Sequence, residues 1–122
     1  MQKKYDLEDR LITFSCACLD ICDLLPNTRV GNNLEYQLCK SSTACALIYG
    51  EAQAAESKAD FLHKLKMVLK EIRETRVNLK IIMGKPIINH PIVESTLAES
   101  NELMAIFLKS IETAKNKQEK RN

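Results

Sequence analysis

Apolar residues recur at alternating steps of four and three through residues 57–83, and the rest of the chain is organised around this stretch. The repeating positions are Phe61, Leu65, Val68, Ile72, Thr75, Leu79 and Ile82. The stripe is widened by Leu62, Leu69 and Met83. Such spacing is typical of an α-helix that packs lengthwise against other helices. Four cations fall on the opposite side of this helix, where solvent is expected: Lys66, Lys70, Arg73 and Lys80.

The same spacing occurs in three other stretches, and no stretch shows the two-residue alternation of a strand. The predicted helices span about residues 7–24, 29–55, 58–83 and 91–115. The polar residues that follow predict a frayed tail at 116–122. Short connections between amphipathic helices indicate an all-α, up-down-up-down four-helix bundle. We expect a single domain over residues 1–122.

Residues at the helix ends agree with this assignment. Asp6 and Ser57 are the expected N-caps of the first and third helices. Gly84 is the expected C-terminal cap of the third helix, and Pro91 suits the first turn of the fourth. Gly31 weakens the first turn of the second helix.

Gly50 lies inside the second helix, where glycine costs about 1 kcal/mol relative to alanine. Many neighbouring residues are small as well. We therefore expect close packing of a partner helix at Gly50, in preference to a binding site.

Charge is distributed unevenly along a chain whose net charge is only +2. Seven basic and four acidic residues lie within residues 56–83, whereas residues 1–25 hold three basic and five acidic residues. The surplus of basic residues in 56–83 is smaller than that typical of dedicated nucleic-acid-binding domains. No run of 18 apolar residues occurs, so we expect no membrane span. The charged N-terminal sequence lacks the apolar core of a signal peptide, and we expect a cytoplasmic protein.

Five cysteines, an odd number, predict reduced thiols and no disulfide framework. On a helix, Cys16 and Cys18 point about 200° apart and cannot bind one ion together. Cys18 and Cys22 share a face, but buried cysteine is a common core residue. We expect no metal site, and we expect Cys16 to be an exposed thiol.

No catalytic pattern is present. A di-iron bundle needs two Glu-x-x-His motifs, and the nearest match is a single Asp60-x-x-His63. We expect His63 on a helix surface and His90 as a helix cap. There is no glycine-rich phosphate loop and no serine with a nearby His/Asp pattern. We therefore expect no enzyme activity, no cofactor and no small-molecule substrate.

The basic row, by which we mean Lys66, Lys70, Arg73 and Lys80, has two interpretations. In the first, it is a solvated face that keeps the surface soluble. In the second, an oligomer repeats it on each subunit and it contacts a phosphate backbone. The broad apolar faces favour oligomer formation. Arg76 lies at the flank of the apolar stripe, where we expect it to pair with Glu51.

Nearly the whole chain, from about residue 7 to 115, resembles the bacterial four-helix-bundle proteins named after 23S ribosomal RNA intervening sequences. The resemblance is carried by residues 29–33 (RVGNN), 49–53 (YGEAQ), 56–57 (ES), 60–61 (DF), 63–64 (HK), 68–75 (VLKEIRET), 101–103 (NEL), 106–107 (IF) and 109–111 (KSI), together with Gln37 and Leu38. Its polar residues Tyr49, Glu51 and Arg76 have no known role. The chain departs from the family pattern at four positions. Lys40 stands where Arg is common, Ser42 where Gly is common, Cys45 where Pro is common and Ile48 where Asn is common.

This resemblance implies a bundle that assembles into a ring, typically a homopentamer. Relatives that assist retroelement reverse transcriptases form similar basic barrels that bind nucleic acid. Our leading hypothesis is a non-enzymatic, ring-forming protein that binds RNA or an RNA–protein complex through the basic row. The alternative is a purely structural or protein-partner scaffold that binds no nucleic acid.

Overall fold

The structure is a computed structural model that describes the backbone of residues 6–121 and the side chains of residues 6–117. Throughout that part of the chain the regular structure is helical, which confirms the predicted all-α class. The four helices are α1 (Leu7–Leu24), α2 (Arg29–Gln53), α3 (Lys58–Gly84) and α4 (Pro91–Arg121). None of the helices in residues 6–121 is long and apolar enough to cross a membrane.

Two helix ends differ from the prediction. Helix α2 ends at Gln53, before the predicted residue 55, because the next two backbone N–H groups turn back onto the carbonyls of Glu51 and Ala52. Helix α4 continues to Arg121, beyond its predicted end at about residue 115, and residue 122 lies outside the described residues. The tail is rich in Lys, Gln and Glu, which are good helix formers, and extending an existing helix requires no new nucleus.

Helices that follow one another in the chain are neighbours in space, and α1 closes the bundle against α4. Contacts between helices show that neighbours run antiparallel. Ser15 and Cys22 of α1 reach the carbonyls of Ser42 and Glu35, respectively, so the residue numbers rise on one helix as they fall on the other. Helices α1 and α3 lie at diagonally opposite corners of the bundle. This is the predicted up-down-up-down bundle.

Each helix begins with a side chain that accepts a backbone N–H from its first turn, at 3.0 Å in every case. The accepting residues are Asp6, Thr28, Ser57 and His90. The predicted caps at Asp6 and Ser57 are confirmed, as is the cap at His90, whose Nδ1 accepts the N–H of Ile92. These bonds satisfy N–H groups that have no partner inside the helix.

Gly84 does not act as the C-terminal cap that was predicted. It is the last helical residue, and the cap is Lys85, with φ −90° and ψ 0°. The turn closes through hydrogen bonds from the N–H of Lys85 to the carbonyl of Ile81 and from Ile87 to Ile82. This route needs no left-handed residue, and no glycine in the described chain has a positive φ.

Gly31 allows the first turn of α2 to form. A Cβ at this position would overlap the carbonyl oxygen of Pro26 and lie 2.9 Å from its carbonyl carbon. The close approach of the two backbones therefore requires glycine. At Gly50, in contrast, an added Cβ would meet only the Glu8 carboxylate, at 3.9 Å. The predicted close packing at Gly50 is therefore wrong within this chain.

The core is built from one face of each helix, and α3 contributes the apolar stripe that the sequence predicts from Leu65 to Ile82. Leu62 is only partly buried and is not part of the core, and two further predicted members of the stripe are exposed. Phe61 is 36% exposed and borders an open cavity of about 300 Å³, and Met83 is 41% exposed. Both residues lie in terminal turns of α3, where there is less of the bundle to cover them.

A layer of buried hydroxyl groups crosses the core at mid-height. Ser15 Oγ donates to the carbonyl of Ser42 at 2.7 Å, which joins α1 to α2. Thr75 Oγ1 lies 2.8 Å from Ser41 Oγ, which joins α3 to α2. The layer favours one register between the helices, because a shift of one turn would break these hydrogen bonds between helices inside the core.

Candidate nucleic-acid interface

The basic row lies on the solvent side of α3, as the sequence predicts. All four side chains are exposed, and their spacing of four, three and seven residues keeps them on one side of the helix. Among the side chains of residues 6–117, none of the four takes part in an ion pair. Their charges are therefore available to a partner in solution.

Acidic side chains reduce the positive potential of this face. Glu71 and Glu74 lie on the same helix, with Glu74 exposed and Glu71 half-buried. Burial raises the pKa of the Glu71 carboxyl, and the neighbouring Glu74 adds to the rise, whereas Lys70 and Lys40 oppose it. The face is a mixed one with a basic excess, and it differs from a continuous basic patch.

Lys40, on α2, adds a further cation close to the basic row, and this cation was not predicted from the sequence. It borders an open cavity of about 490 Å³ between α2 and α3, and Arg73 lies in the same cavity wall. The antiparallel register of these two helices brings the two cations to one groove. Periodicity within a single helix carries no information about that register.

The three polar residues taken from the family pattern do not form a common site. Tyr49 packs edge-on against the ring of Phe107, with the ring centroids 5.7 Å apart. Glu51 accepts a hydrogen bond from Lys64 Nζ at 2.9 Å, and this bond raises the pKa of Lys64. Each of these contacts joins two helices.

Arg76 does not pair with Glu51, contrary to the prediction. Its Nε donates to Asn101 Oδ1 at 2.6 Å, which joins α3 to α4. Glu51 lies opposite Lys64, and Arg76 is twelve residues further along α3, or about 18 Å along the helix axis. The antiparallel register of α2 and α3 therefore excludes the predicted pair.

The cysteines divide into two exposed and three buried residues. Cys16 is exposed, as predicted, and so is Cys39. Burial raises the pKa of Cys22 and of Cys45 to about 12 and also raises the pKa of Cys18. These three thiols are therefore protonated at neutral pH and are poor metal ligands and nucleophiles.

Other chemistry-bearing residues do not converge. His63 is exposed on the surface of α3, as predicted, and His90 is held in its capping role by the N–H of Ile92. Within residues 6–117 no three His, Cys, Asp or Glu side chains are grouped so that they could hold a metal ion.

Comparison with known proteins finds similarity to a solved structure. No protein-family model matches the chain, and no curated protein matches it. A solved structure does match, with a TM-score of 0.80 and 26% sequence identity over 87% of this chain and 98% of the other. It is a Bacteroides thetaiotaomicron protein of unknown function from the S23 ribosomal protein family. The two chains share their four-helix fold.

Proposed function

We propose that this chain is a non-enzymatic, cytoplasmic member of the 23S intervening-sequence group, that it assembles into a homopentameric ring, and that it binds RNA through the basic row. The family assignment is supported by the sequence resemblance and by the fold shared with a protein of the S23 ribosomal protein family. The proposal of RNA binding rests on one observation: the four cations of the basic row are exposed and have no ion-pair partner in the described chain.

Ring assembly is supported by apolar side chains that the single chain leaves uncovered. Val30 on α2, Ile81 on α3 and Leu108 on α4 are each about half exposed. Such surface is removed from water when subunits associate. Light scattering at roughly micromolar concentration tests this part, because a mass of 13.9 kDa would correspond to a monomer and overturn it.

RNA binding is tested by reversing charge within the row. The double variant Lys70→Glu/Arg73→Glu removes two phosphate contacts, so we expect weaker retention of RNA and a salt dependence shallower by about 1.4 in the log–log slope for a single strand. The matched control, Lys85→Glu/Lys115→Glu, changes the net charge equally at exposed positions outside the row. This control variant should bind RNA nearly as tightly as the parent does.

The outcome separates this function from the scaffold alternative. If the purified parent protein retains no RNA in roughly 50 mM salt, RNA binding is wrong. If both double variants lose binding equally, the net charge and not the row is responsible. The scaffold alternative predicts instead that both variants keep the assembly state and partners of the parent.

A further inference from the structure

Tyr36 is an exposed aromatic residue that the basic row does not explain. It lies on the outer face of α2 with 62% of its surface exposed, and Lys40 Nζ lies 5.9 Å from its ring centroid. The two residues border an open cavity of about 460 Å³, together with Asn32, Glu35 and Cys39. A large aromatic ring in an open cavity presents a face on which a flat ligand can stack.

Lys40 connects this cavity to the one between α2 and α3. The second cavity, of about 490 Å³, is also bordered by Lys40 and contains Arg73. Its remaining wall includes the side-chain amides of Gln37 and Asn78. The two cavities share Lys40 in their walls, and together they are called the α2–α3 groove, which extends from Tyr36 to Arg73 of the basic row.

This combination of groups suits an unpaired nucleotide strand. An aromatic ring stacks on any exposed base, the two cations can contact phosphates on either side of it, and amides can donate to or accept from base edges. A base inside a duplex is already stacked on its neighbours and presents no free face to Tyr36. The groove should therefore prefer single-stranded over double-stranded RNA.

The local charge makes stacking necessary for useful affinity. Glu35 borders the Tyr36 cavity, and Glu74 borders the cavity of Arg73, so each cation has a carboxylate nearby. Attraction for phosphate is correspondingly weak in this groove. Stacking contributes about 1–3 kcal/mol per base and does not depend on salt in the way that phosphate contacts do.

We infer that the α2–α3 groove binds unpaired RNA, with one base stacked on Tyr36 and the flanking phosphates at Lys40 and Arg73. This inference rests on the proposed RNA-binding function and names the form of RNA that the same surface takes. It adds Tyr36 and Lys40 to the interface.

The test measures fluorescence anisotropy of a fluorescein-labelled single-stranded oligouridylate and of a duplex RNA of equal length. Tyr36→Ala should weaken single-strand binding about 5- to 150-fold, whereas Tyr36→Phe, which keeps the ring, should bind as the parent does. The salt dependence of Tyr36→Ala should equal that of the parent, because no charge is removed. Leu47→Ala is the matched control, since Leu47 is a similarly exposed side chain on the outer face of the same helix.

Each of the following results would overturn the inference. Equal binding by Tyr36→Ala and the parent would show that the ring makes no contact. Duplex binding as tight as single-strand binding would exclude base stacking. A change in mass on light scattering for Tyr36→Ala would identify Tyr36 as a subunit contact. If Lys70→Glu/Arg73→Glu loses RNA binding but Tyr36→Ala does not, this inference is wrong and the proposed function is unaffected. If the parent binds no RNA, both are wrong.

Discussion

The two glycines inside α2 should respond in opposite ways to substitution by alanine. At Gly31 the new methyl group would overlap the Pro26 carbonyl oxygen, and the nearest atoms belong to backbone that cannot rotate away. At Gly50 the methyl group would meet only the end of the flexible Glu8 side chain, at 3.9 Å. The pair separates the effect of steric overlap from the ordinary effect of helix propensity.

The size of each change can be estimated from these contacts. Overpacking costs about 1–3 kcal/mol, and overlap with a fixed carbonyl belongs near the upper end of that range. Alanine recovers up to about 1 kcal/mol of helix propensity, less in a first turn. We therefore expect Gly31→Ala to lower the free energy of unfolding by about 2 kcal/mol. Gly50→Ala should raise it by about 1 kcal/mol.

Urea unfolding followed by far-ultraviolet circular dichroism measures both free energies. All proteins must be compared at the same concentration, because subunit association contributes to the measured stability. If Gly31→Ala is as stable as the parent, the approach of α2 to Pro26 does not require glycine and our account of this turn is wrong. If Gly50→Ala is destabilised only at concentrations where the chain associates, Gly50 contacts another subunit.

Two further substitutions test the polar contacts between helices. Thr75→Val keeps the shape of a fully buried side chain but removes its hydroxyl group, so Ser41 loses a partner and the free energy of unfolding should fall by about 1–2 kcal/mol; an unchanged urea midpoint would contradict this. Glu99→Gln weakens a bidentate pair with Arg10, in which both bonds measure 2.7 Å, and should cost about 1 kcal/mol at pH 7. Because Arg10 lowers the pKa of Glu99, the pair stabilises the fold above the unfolded pKa of about 4.3 and is lost as the pH falls through the folded value. The difference from the parent should therefore shrink in acid, and a constant difference between pH 7 and about pH 3 would refute the role of this ion pair.

Properties set within one helix could be predicted from the sequence. The apolar stripe of α3 and the exposure of the basic row follow from a period of 3.6 residues, which acts over a few neighbouring positions. The caps at Asp6 and Ser57 follow from side chains that reach the N–H groups of the next turn. None of these features depends on which helix lies alongside.

Properties set between helices could not be predicted in the same way. The predicted pair of Arg76 and Glu51 failed because the register places Lys64 opposite Glu51. The groove between Lys40 and Arg73 was missed for the same reason, since no spacing in the sequence records how far one helix slides along another. Gly31 and Gly50 look alike in the sequence, and only the position of Pro26 distinguishes them.

Ring assembly and RNA binding are linked in the proposed function. One copy of the interface contains the four cations of the basic row and Lys40, and the carboxylates of Glu35, Glu71 and Glu74 lie near them. Because these charges partly cancel, a single chain should attract phosphate only weakly. If the chain assembles as proposed, one RNA strand can contact several copies, and each later contact forms at a high effective concentration. Avidity of this kind can exceed the affinity of one copy by about 10²- to 10⁴-fold without any new contact. The near-neutral charge of the chain is therefore compatible with RNA binding by a ring, whereas an isolated subunit with this charge would bind RNA weakly.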